Sequence, residues 1–140
     1  MAKAGPIVII EDDKDDQEIF TDILKEIGVE NQLIFFERCS KAFTYLKITT
    51  DHPLIIISDV NLPEQNGLEF KQQIDEDAEL RQKSIPFVFL STSVDKAAVD
   101  IAYKKLTIQG FFQKKSGYEE LKSVLRMILD YWKECRHPNS

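Results

Sequence analysis

No run of apolar residues in this chain approaches the roughly 18–20 needed to span a bilayer, and no cleavable secretion signal opens it. These two absences lead to the expectation of a cytoplasmic protein with no membrane contact. Cysteine is scarce. Cys39 and Cys135 lie far apart and share no metal-ligand spacing, so two free thiols in a reducing compartment are expected. His52 and His137 are isolated, which argues against a zinc-type site. Positive charge is not in excess. The formal net charge of −6 argues against the basic surface that nonspecific nucleic-acid binding needs. There is also no internal repeat, low-complexity stretch or linker. What remains is 140 residues, 43% apolar and 30% charged, enough for the core of one ordinary globular domain spanning residues 1–140.

Within that domain the apolar pattern alternates between two periods. Pro6–Ile10, Gln32–Phe36, Leu54–Ser58, Pro86–Leu90 and Gln109–Gln113 read as short strands. The most apolar of them carry the continuous runs of strands buried on both faces. Helical periodicity fills the gaps. Lys14–Ile27 carries Ile19, Phe20, Ile23, Leu24 and Ile27 on one stripe and stops at Gly28. Ser40 is a plausible N-cap for a helix bearing Ala42, Phe43 and Leu46. A helix near Leu68–Ile74 is expected to resume around Ala78–Gln82. Val94–Lys105 places Val94, Ala98, Ile101 and Ala102 together. The last helix follows Ser116-Gly117-Tyr118-Glu119, which matches a capping box, and carries Leu121, Val124, Leu125, Ile128, Leu129 and Trp132. The tail His137–Ser140 is expected to fray. Five β-α units predict a doubly wound α/β domain with a parallel sheet.

The strand ends carry the chemistry. Open α/β sheets bind ligands outside the carboxyl ends of their strands. Asp59 follows Leu54–Ser58, and Glu11-Asp12-Asp13 follows Ile7–Ile10. Carboxylates crowded at one edge resist ionising together unless a cation intervenes. Hard oxygen donors without Cys or His suit Mg²⁺. Asp15, Asp16 and Glu18 fit an acidic first helical turn favoured by the helix dipole. Ser91, followed by Thr92 and Ser93, ends the fourth strand, and one of these hydroxyls is expected to cap the next helix. Lys114 ends the fifth. Metal ligands, a nucleophile, a hydroxyl donor and a cation are the parts of a phosphoryl-transfer site.

With these residues the chain resembles the receiver domains of two-component response regulators over Ile7 to about Leu129. It is most similar to stand-alone regulators paired with bacterial phytochromes. The supporting cues are the long segment before the third strand, the Phe111-Phe112 pair and the Tyr131-Trp132 end of the last helix. The resemblance implies a flavodoxin-like sheet of strand order 2-1-3-4-5 and no effector domain. It implies Asp59 as phosphoacceptor from a sensor histidine kinase. Mg²⁺ would be bound by Asp12, Asp59 and the Asn61 carbonyl, with Glu11 acting mainly through water. Ser91 and Lys114 would contact the phosphoryl group. Ser91 and Phe111 would form the switch, with Phe111 favouring an inward rotamer. Output to a downstream protein would use the face of the fourth helix, fifth strand and fifth helix.

The chain would catalyse only its own phosphotransfer and a slow self-dephosphorylation tuned at Asn61 and Ser93. Core packing explains most of the apolar stripe reaching Trp132, and its end could extend beyond the sheet and serve a homodimer. Lys115 stands where the family usually has proline, and a trans Lys114–Lys115 bond is expected. A phosphorylation-independent binding module of the same fold is the alternative, and it would need a broken pocket. An aspartyl-nucleophile phosphatase would need a second carboxylate at position 61, where Asn61 stands.

Overall fold

The computed structural model describes residues 2–92 and 95–139. Strands β1 (Ile7–Ile10), β2 (Leu33–Phe36), β3 (Ile55–Ser58), β4 (Phe87–Ser91) and β5 (Gly110–Gln113) form one parallel sheet, ordered β2-β1-β3-β4-β5. The expected fold class and strand order hold. Helices α1 (Lys14–Glu26) and α6 (Tyr118–Glu134) cover one face. Helices α2 (Cys39–Ile48), α3 (Gly67–Glu76), α4 (Ala78–Lys83) and α5 (Lys96–Lys105) cover the other.

Side chains alternate along each strand, so β1 sends Ile7 and Ile9 toward α1 and α6, and Val8 and Ile10 toward the opposite layer. Every residue of β1, β3 and β4 is buried, because both faces of the sheet carry helices. Each fully buried Ile, Leu or Phe contributes about 1.5–3 kcal/mol of transfer free energy. The interior therefore holds the strand ends in fixed register.

Several local expectations are corrected. Helix α2 begins at Cys39 with Arg38 at its cap position and no side-chain cap bond, so Ser40 lies inside the first turn. The box expected at Ser116 and Glu119 does not form. Gly117 is the N-cap of α6, which leaves Ser116 one residue too early to reach the helix amides. A capping box forms instead at α3, where Asn66 Oδ1 accepts from the Glu69 amide at 2.9 Å and Glu69 Oε1 accepts from the Asn66 amide. Helix α5 is capped by Asp95, whose Oδ1 accepts from the Ala98 amide at 2.8 Å, rather than by a hydroxyl of the β4 end. Ile101 faces solvent. Val94 and Ser93, named in the expectations above, lie outside the described residues.

The tail does not fray through Asn139. His137 is buried, with its Nε2 2.9 Å from the Leu54 carbonyl and its Nδ1 accepting from the Asn139 amide at 3.0 Å. The Asn139 side chain donates to the Lys83 carbonyl. Polar sequence suggests a loose end, but the His137 and Asn139 side chains both find hydrogen-bond partners. Trp132 is also core, with its ring 5.7 Å from the His137 ring. Both cysteines are free, as expected. Burial pushes the Cys39 thiol up to about 12, which makes it unreactive.

Candidate functional site

Register brings the acidic strand ends together. Ile10 pairs with Ser58, so Glu11 and Asp59 leave neighbouring strands side by side, and the Asp59 amide donates to the Ile10 carbonyl at 3.3 Å. On the other side Ser91 pairs with Gln113, and the Lys114 amide donates to the Ser91 carbonyl at 2.8 Å. Glu11, Asp59, Ser91 and Lys114 therefore share one edge of the sheet, at the carboxyl ends of four strands.

The Asp59 carboxylate is half-buried and fixed from below. Its Oδ1 accepts from the backbone amides of Val60 at 2.7 Å and Asn61 at 3.2 Å, which sets the plane of the carboxylate. Its carbonyl accepts from the Ser58 hydroxyl at 2.8 Å. Gly67 opens α3 against this loop. Its amide donates to the Val60 carbonyl at 2.8 Å, and a Cβ at that position would collide with the Asp59 carbonyl oxygen and touch Phe89. Glycine at 67 thus allows the helix start and the Asp59 turn to approach this closely. Gly67→Ala is expected to cost about 1–3 kcal/mol, as overpacking does. It should also displace the Asp59 and Val60 amide resonances, which urea denaturation and ¹⁵N NMR would read together.

Glu11 is buried and Asp12 and Asp13 are exposed. Glu11 Oε1 accepts from Lys114 Nζ at 2.7 Å, and its Oε2 accepts from the Asp13 amide at 3.2 Å. Burial raises the Glu11 pKa more than Lys114 lowers it, and the nearby Asp59 charge adds to the rise. Lys114 also donates to Asp16 Oδ2 at 2.9 Å, and its ammonium lies 5.4 Å from the centre of the Phe20 ring. Burial alone would lower the Lys114 pKa. The hydrogen bonds to Asp16 and Glu11 outweigh it, so the pKa is raised. Asp13 is the N-cap of α1, where its Oδ1 accepts from the Asp15 and Asp16 amides.

Asp16 is the residue that the sequence pattern misassigned. It is an ion-pair partner of Lys114 and more than a dipole-favoured first-turn acid. The only available signal was its position four residues before Phe20, which puts both side chains on one face of α1. A second unanticipated partner is Tyr103 on α5, whose hydroxyl accepts from the Phe111 amide at 3.0 Å. Phe111 is half-buried, with its ring 5.5 Å from Phe89 in the core. The Lys114–Lys115 bond is trans, as expected.

Among the described residues, no three His, Cys, Asp or Glu side chains converge closely enough to hold a metal ion by themselves. Glu11 is turned to Lys114, and Asp12 stands at the rim. The oxygen-only donor set still fits a hard divalent cation that keeps several waters. Such an ion needs one or two carboxylates, and a backbone carbonyl can complete the set.

A fold with this strand order, an aspartate at the end of its central strand and a buried lysine at the end of the edge strand defines a class of signalling domain. The chain belongs to the response regulator receiver domain family, whose profile matches residues 7–126. The response regulator Rcp1 of Synechocystis is 27% identical over 133 residues, covering 91% of this chain and 88% of Rcp1. The phosphorylated cyanobacterial phytochrome response regulator RcpA is 25% identical with a TM-score of 0.85, over 96% of this chain and 98% of that one. The Mn²⁺-bound form of Rcp1 is 25% identical with a TM-score of 0.83, over 96% of this chain and 99% of that one. The chain is thus similar to phytochrome-associated regulators in sequence and structure. None of its described helices is long and apolar enough to cross a membrane.

Proposed function

We propose that this chain accepts a phosphoryl group on Asp59 from the phosphohistidine of a sensor histidine kinase and signals by protein contact. The observation that carries the proposal is the shared sheet edge, where the fixed Asp59 carboxylate sits beside Glu11 and a buried Lys114 ammonium. With Oδ1 held by two amides, Oδ2 is the oxygen assigned to attack phosphorus. A P–O bond forms as the P–N bond breaks, and the electron pair stays on the imidazole nitrogen. Ser91 and Lys114 then contact the phosphoryl oxygens.

Mg²⁺ fits the oxygen donors of Asp12, Asp59 and the Asn61 carbonyl, with Glu11 reached through water. It would supply charge neutralisation between an acidic pocket and an anionic donor. Support comes from the metal-bound Rcp1 relative and from the register that sets Glu11 and Asp59 side by side at one sheet edge. The output surface assigned is α5, β5 and α6. Phe111 touches Phe89 in the core and bonds Tyr103 on α5, so a movement beginning at Ser91 has a packed route to that face.

Acetyl phosphate or phosphoramidate with Mg²⁺ is expected to label the chain once, and EDTA is expected to prevent it. Labelling that persists at full rate in EDTA would count against the metal assignment.

A further inference from the structure

Lys114 is not waiting for a ligand. Its ammonium is already bonded to two carboxylates that approach from different elements, Glu11 Oε1 from the end of β1 at 2.7 Å and Asp16 Oδ2 from the first turn of α1 at 2.9 Å. The lysine side chain is 9% exposed, Glu11 4% and Asp16 35%. The Phe20 ring lies on the same ammonium. Asp16 is also held in place, because the Asp13 cap accepts from the Asp16 amide. The clasp is therefore a formed arrangement with one fixed helix turn behind it.

We propose that Asp16 is a positioning residue that holds Lys114 back from Asp59 in the unphosphorylated chain and sets how readily a phosphoryl group is captured. The inference rests on the reading of Asp59 as phosphoacceptor. A phosphoryl group on Asp59 needs Lys114 as its counter-charge, and the lysine has only three donor hydrogens in a compact head. Two of the three are committed to Glu11 and Asp16, and both carboxylates draw the ammonium toward the clasp while a phosphoryl group on Asp59 draws it away. Glu11 can turn to a divalent cation in the pocket and be satisfied there. Asp16 gains no such replacement, so it is the carboxylate that competes with the phosphoryl group. An equilibrium between clasped and engaged lysine shifts only by the differential affinity of its partners. Removing the charge of Asp16 lowers the cost of leaving the clasp.

The test compares wild type, Asp16→Asn and Asp16→Glu in the full chain. Beryllofluoride with Mg²⁺ serves as the phosphoryl analogue, titrated by ¹⁵N NMR. Asp16→Asn should bind it about five-fold tighter, which is about 1 kcal/mol, and should lower the urea midpoint of the free chain, because the clasp it weakens stabilises that state. Asp16→Glu keeps the charge and should bind as wild type does. In the metal-free protein, the Lys114 ammonium protons should exchange faster with water in Asp16→Asn than in wild type. Unchanged or weaker beryllofluoride binding in Asp16→Asn overturns the proposal, as does equal tightening in Asp16→Glu. An unchanged ammonium exchange rate also overturns it. A wild-type chain that takes no beryllofluoride overturns the phosphoacceptor reading and this proposal together. Binding by wild type with no response to Asp16→Asn overturns this proposal alone.

Discussion

Asparagine in place of Asp59 is expected to end labelling by acetyl phosphate and Mg²⁺ while leaving the fold intact. The amide keeps the shape of the carboxylate, and its oxygen can still accept from the Val60 and Asn61 amides that now hold Oδ1. What it loses is the anionic oxygen that attacks phosphorus. It also loses a charge. The Asp59 carboxylate helps to raise the Glu11 pKa, so its removal relieves a like-charge contact at the sheet edge. The variant should therefore unfold in urea at the wild-type midpoint or above it. A chain that is equally stable yet takes no label separates lost chemistry from lost structure. Label retained on the asparagine chain would refute Asp59 as the acceptor.

Methionine in place of Lys114 is expected to have the largest effect on stability. Lys114 and Glu11 form a buried pair, and removing one partner of such a pair costs about 3–5 kcal/mol because the other charge is left stranded. The pH dependence has a definite sign. Lys114 has a raised pKa in the folded chain, so its contribution is fully present below the unfolded lysine value, about 10.4. That contribution is lost as pH rises through the folded value. At neutral pH the wild type has all of it.

In the variant, Glu11 keeps the burial that raises its pKa and loses the Lys114 bond that lowers it. A carboxyl group with a raised folded pKa favours folding below its unfolded pKa, about 4.3, and loses that benefit as pH rises through the folded value. The gap between wild type and Lys114→Met should therefore be widest near neutrality and narrow toward pH 4. Paired urea titrations in EDTA across that range would check it. A gap that stays constant, or widens in acid, would contradict the stranded-charge account.

Both predictions draw on residues that sequence patterning could find, and the reason lies in the strands. Ile7–Ile10 and Ile55–Ser58 are buried throughout, so a charged residue directly after either run must stand at a sheet edge. The parallel register then places the two carboxylates side by side. Asp16 was not legible in this way. An aspartate in a first helical turn is what the helix dipole favours, and nothing local distinguishes a solvated one from one that meets Lys114 far along the chain. Only the tertiary fold joins them.

Capping failed at Ser116 for a smaller reason. The Ser116-Gly117-Tyr118-Glu119 motif is offset by one residue from the helix start, because Gly117 is at the cap. At the tail, polarity and a proline suggested fraying. His137 nonetheless found a backbone partner on each ring nitrogen inside the core. Composition does not reveal whether a polar group has a partner waiting.

The most direct measurement is peptide mapping by mass spectrometry after acetyl phosphate treatment in Mg²⁺. The account predicts one phosphoryl group per chain, carried on Asp59, and none in the Asp59→Asn chain. A phosphoryl group mapped to any other residue of the wild-type chain would contradict it.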